Sequence, residues 1–151
     1  MVRTATHTDL PAIAAMRRAW TEEYAGECIE DDNFEAALAE WFAQEADQRV
    51  TWLAETPGDP VGMLNMLVFT RMPRPRRTMD DRPTQWGYIA NFFVDTRHRN
   101  AGIGRMLLDA ALAYADSHHF ARIVLSPSER SVPLYARSGF VPATSLLIKE
   151  L

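Results

Sequence analysis

The period of the apolar positions changes several times along the chain, and each change marks an element. Val2 to Ala5 reads as a short first strand. Thr8-Asp9-Leu10-Pro11 reads as a helix start, with Thr8 or Asp9 at the cap and Pro11 in the first turn, where its missing N–H is harmless. Ile13, Met16, Arg17 and Trp20 then share a stripe to about Tyr24, and Gly26 ends the helix. A second helix, capped by Asp32 or Asn33 and running to about Ala46, turns Phe34, Leu38, Trp41 and Phe42 to one side.

Arg49 to Glu55 and Val61 to Phe69 switch to strand character, and the Pro57-Gly58-Asp59-Pro60 turn between them predicts a hairpin. Trp86 to Val94 is aromatic and apolar enough to be a buried strand that stops at Asp95. From Gly102 the period lengthens again. Ile103, Met106, Leu107, Ala110, Ala111 and Tyr114 recur at steps of three and four, so one helical face packs back on the sheet. Ala121 to Leu125 is the next strand, ended by Pro127; a short helix over about Glu129 to Ser138 has Gly139 just past its end, and Ala143 to Leu151 supplies a last strand. Between the hairpin and Trp86, the sixteen residues Thr70 to Gln85 carry Pro73, Pro75 and Pro83 with Arg71, Arg74, Arg76, Arg77 and Arg82. Prolines exclude a central strand there, so a substrate-gating or partner-contacting loop and a plainly solvated one both fit.

Composition narrows the class. The 151 residues suit one domain over 1–151, and 47% hydrophobic with 24% charged residues is ordinary for a globular protein. A net charge of −4 gives no general attraction to nucleic acid or to an anionic membrane. The single Cys28 cannot form an internal disulfide, and with no nearby His it reads as a plain thiol before a nucleophile. No Cys or His spacing suggests a metal site, and the adjacent His118 and His119 fit a helix cap better than a ligand pair. Neither a signal peptide nor an apolar run of about eighteen residues is present, so a cytosolic protein is expected.

The strand ending at Val94, the basic turn Arg97 to Asn100 and the helix opening at Gly102 together form an anion site. A helix start leaves N–H groups without partners and carries partial positive charge, and Gly102 and Gly104 let a phosphate approach the backbone. A tight turn with close helix packing would use the same two glycines.

The string Arg99-Asn100-Ala101-Gly102-Ile103-Gly104 resembles the Arg/Gln-x-x-Gly-x-Gly/Ala signature of the GNAT superfamily of acyl-CoA-dependent N-acetyltransferases. Leu134-Tyr135-Ala136-Arg137-Ser138-Gly139-Phe140 resembles the aromatic-Tyr-x-x-x-Gly-Phe segment of the same family. The resemblance implies an α/β fold of α+β type: a mixed, mostly antiparallel sheet of six to seven strands flanked by about four helices, splayed at the strands before and after the signature helix. It implies acetyl-CoA as cosubstrate. Phe92, Phe93 and Val94 would hold the pantetheine arm, the backbone from Arg99 through Asn100, Ala101, Gly102, Ile103 and Gly104 to Arg105 the diphosphate, and Tyr135 would protonate the departing thiolate. Ser128 stands where family members commonly carry a cofactor-contacting Asn.

No general base is assigned: Glu27, Glu30 and Asp31 qualify by charge, Tyr88 and Ser126 as a water relay. The acidic connector Glu27 to Asp32 suits either a cationic acceptor or a solvated helix start. The function implied is acetyl transfer to a primary amine on a small molecule or peptide by direct attack in a ternary complex. A non-catalytic acyl-CoA sensor is the alternative, and both monomer and homodimer remain open. A dinucleotide-binding Rossmann unit is excluded, because the third glycine and the repeated βαβ units are missing.

Overall fold

The Pro57-Gly58 turn closes the expected hairpin, and a sheet is built outward from it. The structure, a computed structural model, describes residues 1–78 and 84–151. Its strands are β1 (Val2–Thr4), β2 (Arg49–Thr56), β3 (Asp59–Thr70), β4 (Gln85–Val94) and β5 (Arg122–Leu125). Helices α1 (Leu10–Ala25), α2 (Phe34–Glu45), α3 (Ile103–Ser117) and α4 (Val132–Arg137) complete the chain. The sheet order is β1-β2-β3-β4-β5. The first four strands pair antiparallel, and β5 runs parallel to β4.

Period-two alternation divides the sheet into two cores. Trp52, Leu64, Met66 and Ile89 face α3 and α4, where Leu107, Leu108, Ala111 and Tyr135 meet them. Leu53, Met63 and Phe93 face α1 and α2, against Ile13, Met16, Trp20, Leu38 and Phe42. One irregularity matters for the site. Asn65 stands opposite Asn91 but Met66 opposite Ile89, so Ala90 is an extra residue that bends β4 midway.

The start of α1 is tied to the sheet by charge. Both guanidinium Nη atoms of Arg3 donate to Asp9 at 2.8 Å, and Nη2 reaches Glu55 at 2.6 Å. The Thr6 N–H donates to the same Asp9 carboxylate at 2.7 Å.

The helix and strand expectations are met within a residue or two, with two corrections. Glu129 to Ser131 forms a 3-10 turn ahead of α4. Residues 141–151 form no strand, so among the described residues the sheet has five strands where six to seven were expected. Leu146, Leu147 and Ile148 are apolar enough for a strand, but no neighbouring strand takes up their backbone and Leu147 is 98% exposed. An extended segment without a hydrogen-bonded neighbour has nothing to hold it in a sheet. In the arginine- and proline-rich stretch, 71–78 is irregular; Arg82 and Pro83 lie outside the described residues.

Candidate active site

The bend at Ala90 opens a gap. Strand β4 pairs with β5 only from Trp86 to Ile89, opposite Arg122 to Leu125, and Pro127 then turns the chain away. The rest of β4, Ala90 to Val94, keeps β3 on one side and has no strand on the other among the described residues. The Asp95 N–H donates to Val61 O at 2.9 Å, so by antiparallel alternation Phe93 bonds toward β3 while Phe92 and Val94 turn their backbone groups to the open side. The Phe92 and Val94 side chains join the α3 core, and Phe93 is buried against α1. A parallel-strand-like ligand has a ready ladder there.

At the end of the gap the chain makes a basic turn and enters α3. Asp95 accepts the Arg97 N–H at 2.9 Å, and the Arg97 hydrogen bonds hold its carboxyl down at about 2. Asn100 and Gly102 take φ of 61° and 81°, the left-handed region that glycine adopts without cost. Gly102 caps α3 with no side chain, and a Cβ built on it meets nothing within 4 Å. The Met106 N–H reaches back to Gly102 O at 3.0 Å, so the N–H groups of Ile103, Gly104 and Arg105 have no partner within the helix. With the α3 dipole behind them they make an anion cradle open to solvent. Gly104 adjoins Leu134, Phe92 and Val94, which places the cradle directly against the gap.

Arg99 sits in that turn but faces elsewhere. Its N–H donates to Thr96 O at 3.5 Å and its Nε to Val94 O at 2.9 Å, while both Nη atoms bind the Glu23 carboxylate at 2.7 Å. The pair holds Glu23 below the usual carboxylate range. Glu23, in the last turn of α1, carries no motif that reveals it, since its partner is 76 residues away.

Tyr135 lies on the α3–α4 side, its ring 6.2 Å from Phe92 and 5.6 Å from Phe140. Burial pushes the phenol up to about 12, so it is fully protonated at neutral pH. Its hydroxyl has no hydrogen-bond partner among the described residues. Ser128 stands after β5 with its hydroxyl turned to Ser131 Oγ at 3.0 Å. Tyr88, 37% exposed, and Asn91, half-buried, lie on the opposite face of β4, either side of the bulge. Glu27, Glu30 and Asp31 are exposed in a connector wrapped around Arg18, whose Nη atoms donate to Ile29 O and Asp31 O. Cys28 is exposed as well. No His, Cys, Asp or Glu group among the described residues could hold a metal, and no helix among them is long and apolar enough to cross a membrane.

Sequence comparison bears on the family of the chain. The family model described as acetyltransferase (GNAT) family matches residues 13–140. The chain belongs to that family. GNAT-fold crystal structures superpose over nearly its whole length. One is a GCN5-related N-acetyltransferase from Ralstonia eutropha, 29% identical, with a TM-score of 0.72 over 99% of this chain and 97% of that one. Another is a predicted acetyltransferase with acetyl-CoA from Clostridium acetobutylicum, 21% identical, with a TM-score of 0.77 over 99% and 95%. Among curated proteins, glucosamine 6-phosphate N-acetyltransferase of Trypanosoma brucei brucei is 28% identical over 83 residues, 55% of this chain and 52% of that protein. This match thus spans about half the relative's length.

Proposed function

We propose that the chain transfers the acetyl group of acetyl-CoA to a primary amine by direct attack in a ternary complex. The observation that carries this reading is the juxtaposition of the unpaired half of β4 with the glycine-capped start of α3, contiguous through Gly104. When bound, acetyl-CoA supplies an activated thioester carbonyl. The residues present suit it: unpartnered N–H groups at Ile103, Gly104 and Arg105 for a diphosphate, and the outward backbone of Phe92 and Val94 for amides of an extended arm.

Tyr135 then holds a proton for the departing sulfur. A thioester sulfur is too weak a base to take this proton before cleavage, and even toward a released thiolate of ordinary pKa about 8.5 a phenol near 12 is the weaker acid by roughly 5 kcal/mol. The proton therefore moves as the carbon–sulfur bond breaks, when the sulfur is most basic and the unpartnered hydroxyl first gains an acceptor. The opposite face of β4, with Tyr88 and Asn91, is left for the acceptor amine. The acceptor in the name of the trypanosomal relative, glucosamine 6-phosphate, is one such primary amine.

The test is calorimetric titration with acetyl-CoA, with NAD as control, followed by a thiol-release assay over an amine panel. Acetyl-CoA binding with thiol release establishes the activity. Binding without release on any amine favours a sensor, and no binding removes the cradle.

A further inference from the structure

We propose that the acceptor carries an anionic group besides its amine, bound by Arg71 and Arg122 on either side of Trp86; this rests on the acetyltransferase reading of the gap. Trp86 and Tyr88 lie on the acceptor face of β4, paired across β3 with Phe69 and Leu67 and across β5 with Arg122 and Val124. Helices α1 and α2 cover this face around Met63 and Phe93 but leave Phe69 51% exposed.

Among the described residues, the uncovered part is rich in donors and poor in acceptors. The guanidinium carbon of Arg122 lies 4.3 Å from the Trp86 ring centre and that of Arg71 5.6 Å from it. Neither arginine has a carboxylate partner among the described residues, although most other arginines near the sheet do, Arg3, Arg49 and Arg99 included. The Trp86 indole N–H is buried with no acceptor among the described residues. Two like charges beside one ring repel, and an anion bound to either guanidinium reduces that repulsion. Arginine's planar fork suits phosphate and carboxylate alike.

The platform is held in place. Arg71 N–H donates to Thr84 O at 3.0 Å, Gln85 Nε2 to Thr70 Oγ1 at 3.1 Å and Ala121 N–H to Gln85 O at 2.8 Å. A strand rise of about 3.3 Å per residue puts Tyr88 about 7 Å and Trp86 about 13 Å from Ala90, where the gap begins. An acceptor with its amine at the mouth of the gap therefore needs its anion about 7 to 13 Å along the same molecule.

The experiment is calorimetry on the full chain loaded with CoA, using two matched pairs of probes: glucosamine 6-phosphate against glucosamine, and Nα-acetyl-lysine against its amide. The expected result is that at least one anionic member binds about tenfold or more tighter than its neutral counterpart. Arg122→Gln and Arg71→Gln should each shrink that preference, with CoA affinity unchanged. Preference in only the first pair names phosphate, and in only the second carboxylate. Equal binding within both pairs, absence of binding by all four probes, or a preference untouched by both substitutions overturns the inference. The preceding CoA titration separates the two failures: without CoA binding the acetyltransferase reading falls, whereas CoA binding with no anion preference removes the anion alone.

Discussion

Glu23 and Arg99 lie 76 positions apart and meet face to face, each carboxylate oxygen 2.7 Å from a different guanidinium Nη atom. The pair ties the last turn of α1 to the turn that precedes the anion cradle, and Arg99 Nε extends the tie to Val94 O at the end of the gap. The first residue of the family signature thus acts as a brace, and its charge is already matched. Glu23→Gln breaks the charge pair while keeping the shape. The pair is partly exposed, so a loss of about 1 kcal/mol is expected, equivalent to roughly fivefold in the KM for acetyl-CoA with kcat little changed. Steady-state kinetics checks this, and an unchanged KM in a normally melting protein would show that the cradle does not need the brace.

The cradle itself is tested by filling it. A side chain at Gly102 points into open space but must adopt φ of 81°, which costs about 1–2 kcal/mol. Gly104→Ala meets Leu134, Phe92 and Val94 only at 3.5 to 3.9 Å, ordinary contact distances, and should fold normally. Gly102→Trp and Gly104→Trp should both abolish acetyl-CoA binding in calorimetry. Gly104→Trp also presses on Leu134 and Phe92 and should melt lower, so Gly102→Trp is the cleaner variant. Retained affinity in a folded Gly102→Trp protein would move the diphosphate elsewhere.

Local patterns made most of the fold legible. The amphipathic stripe from Ile103 to Tyr114, the turn at Pro57-Gly58 and the glycine stops at Gly26 and Gly139 are decided by neighbours within a few residues, and all are found where the sequence puts them. What escaped depends on distant partners. Residues 143–151 read as a strand because strand propensity is local, but forming one needs an adjacent edge that the chain does not bring to them. Likewise Glu23 and the Arg71–Trp86–Arg122 group carry no local signal, since the fold alone assembles them. The gap is intermediate: the resemblance implied a splayed sheet, whereas the extra residue at Ala90 that bends β4 is visible only in the register with β3.

The Arg3–Asp9 pair predicts how the protein responds to acid. The Arg3 guanidinium and the Thr6 N–H hold the Asp9 carboxyl well below the usual carboxylate range. A carboxyl whose folded pKa is depressed stabilises the fold above its unfolded value of about 3.9, and that stability is lost as pH falls through the folded value. Denaturant midpoints should therefore be flat from pH 7 to about 5 as far as this pair is concerned, and drop below about 4. Asp9→Asn should cost about 1–3 kcal/mol at pH 7 and flatten the acid drop, because the charged bonds to Arg3 are gone at every pH. An unaltered acid limb in Asp9→Asn would assign acid sensitivity to other carboxylates.

Tyr135 packs as a buried ring and, in the proposed reaction, serves as an acid, and substitution separates the two. As a ring it is buried between Phe92 and Phe140, so Tyr135→Ala should cost several kcal/mol, about 3–5 by analogy with other aromatic truncations. As an acid it depends on a hydroxyl with no hydrogen-bond partner among the described residues, so Tyr135→Phe should melt close to the parent. Loss of a positioned proton donor is expected to lower kcat by roughly 100-fold or more while acetyl-CoA affinity holds. The pH profile gives an independent reading. With the phenol pushed up to about 12, Tyr135 does not titrate between pH 6 and 10, so any limb in that range belongs to another group and should persist in Tyr135→Phe at its lower rate. If instead Tyr135→Phe turns over at the parent rate, the tyrosine only packs, and the departing sulfur takes its proton from water or from the acceptor side of the gap.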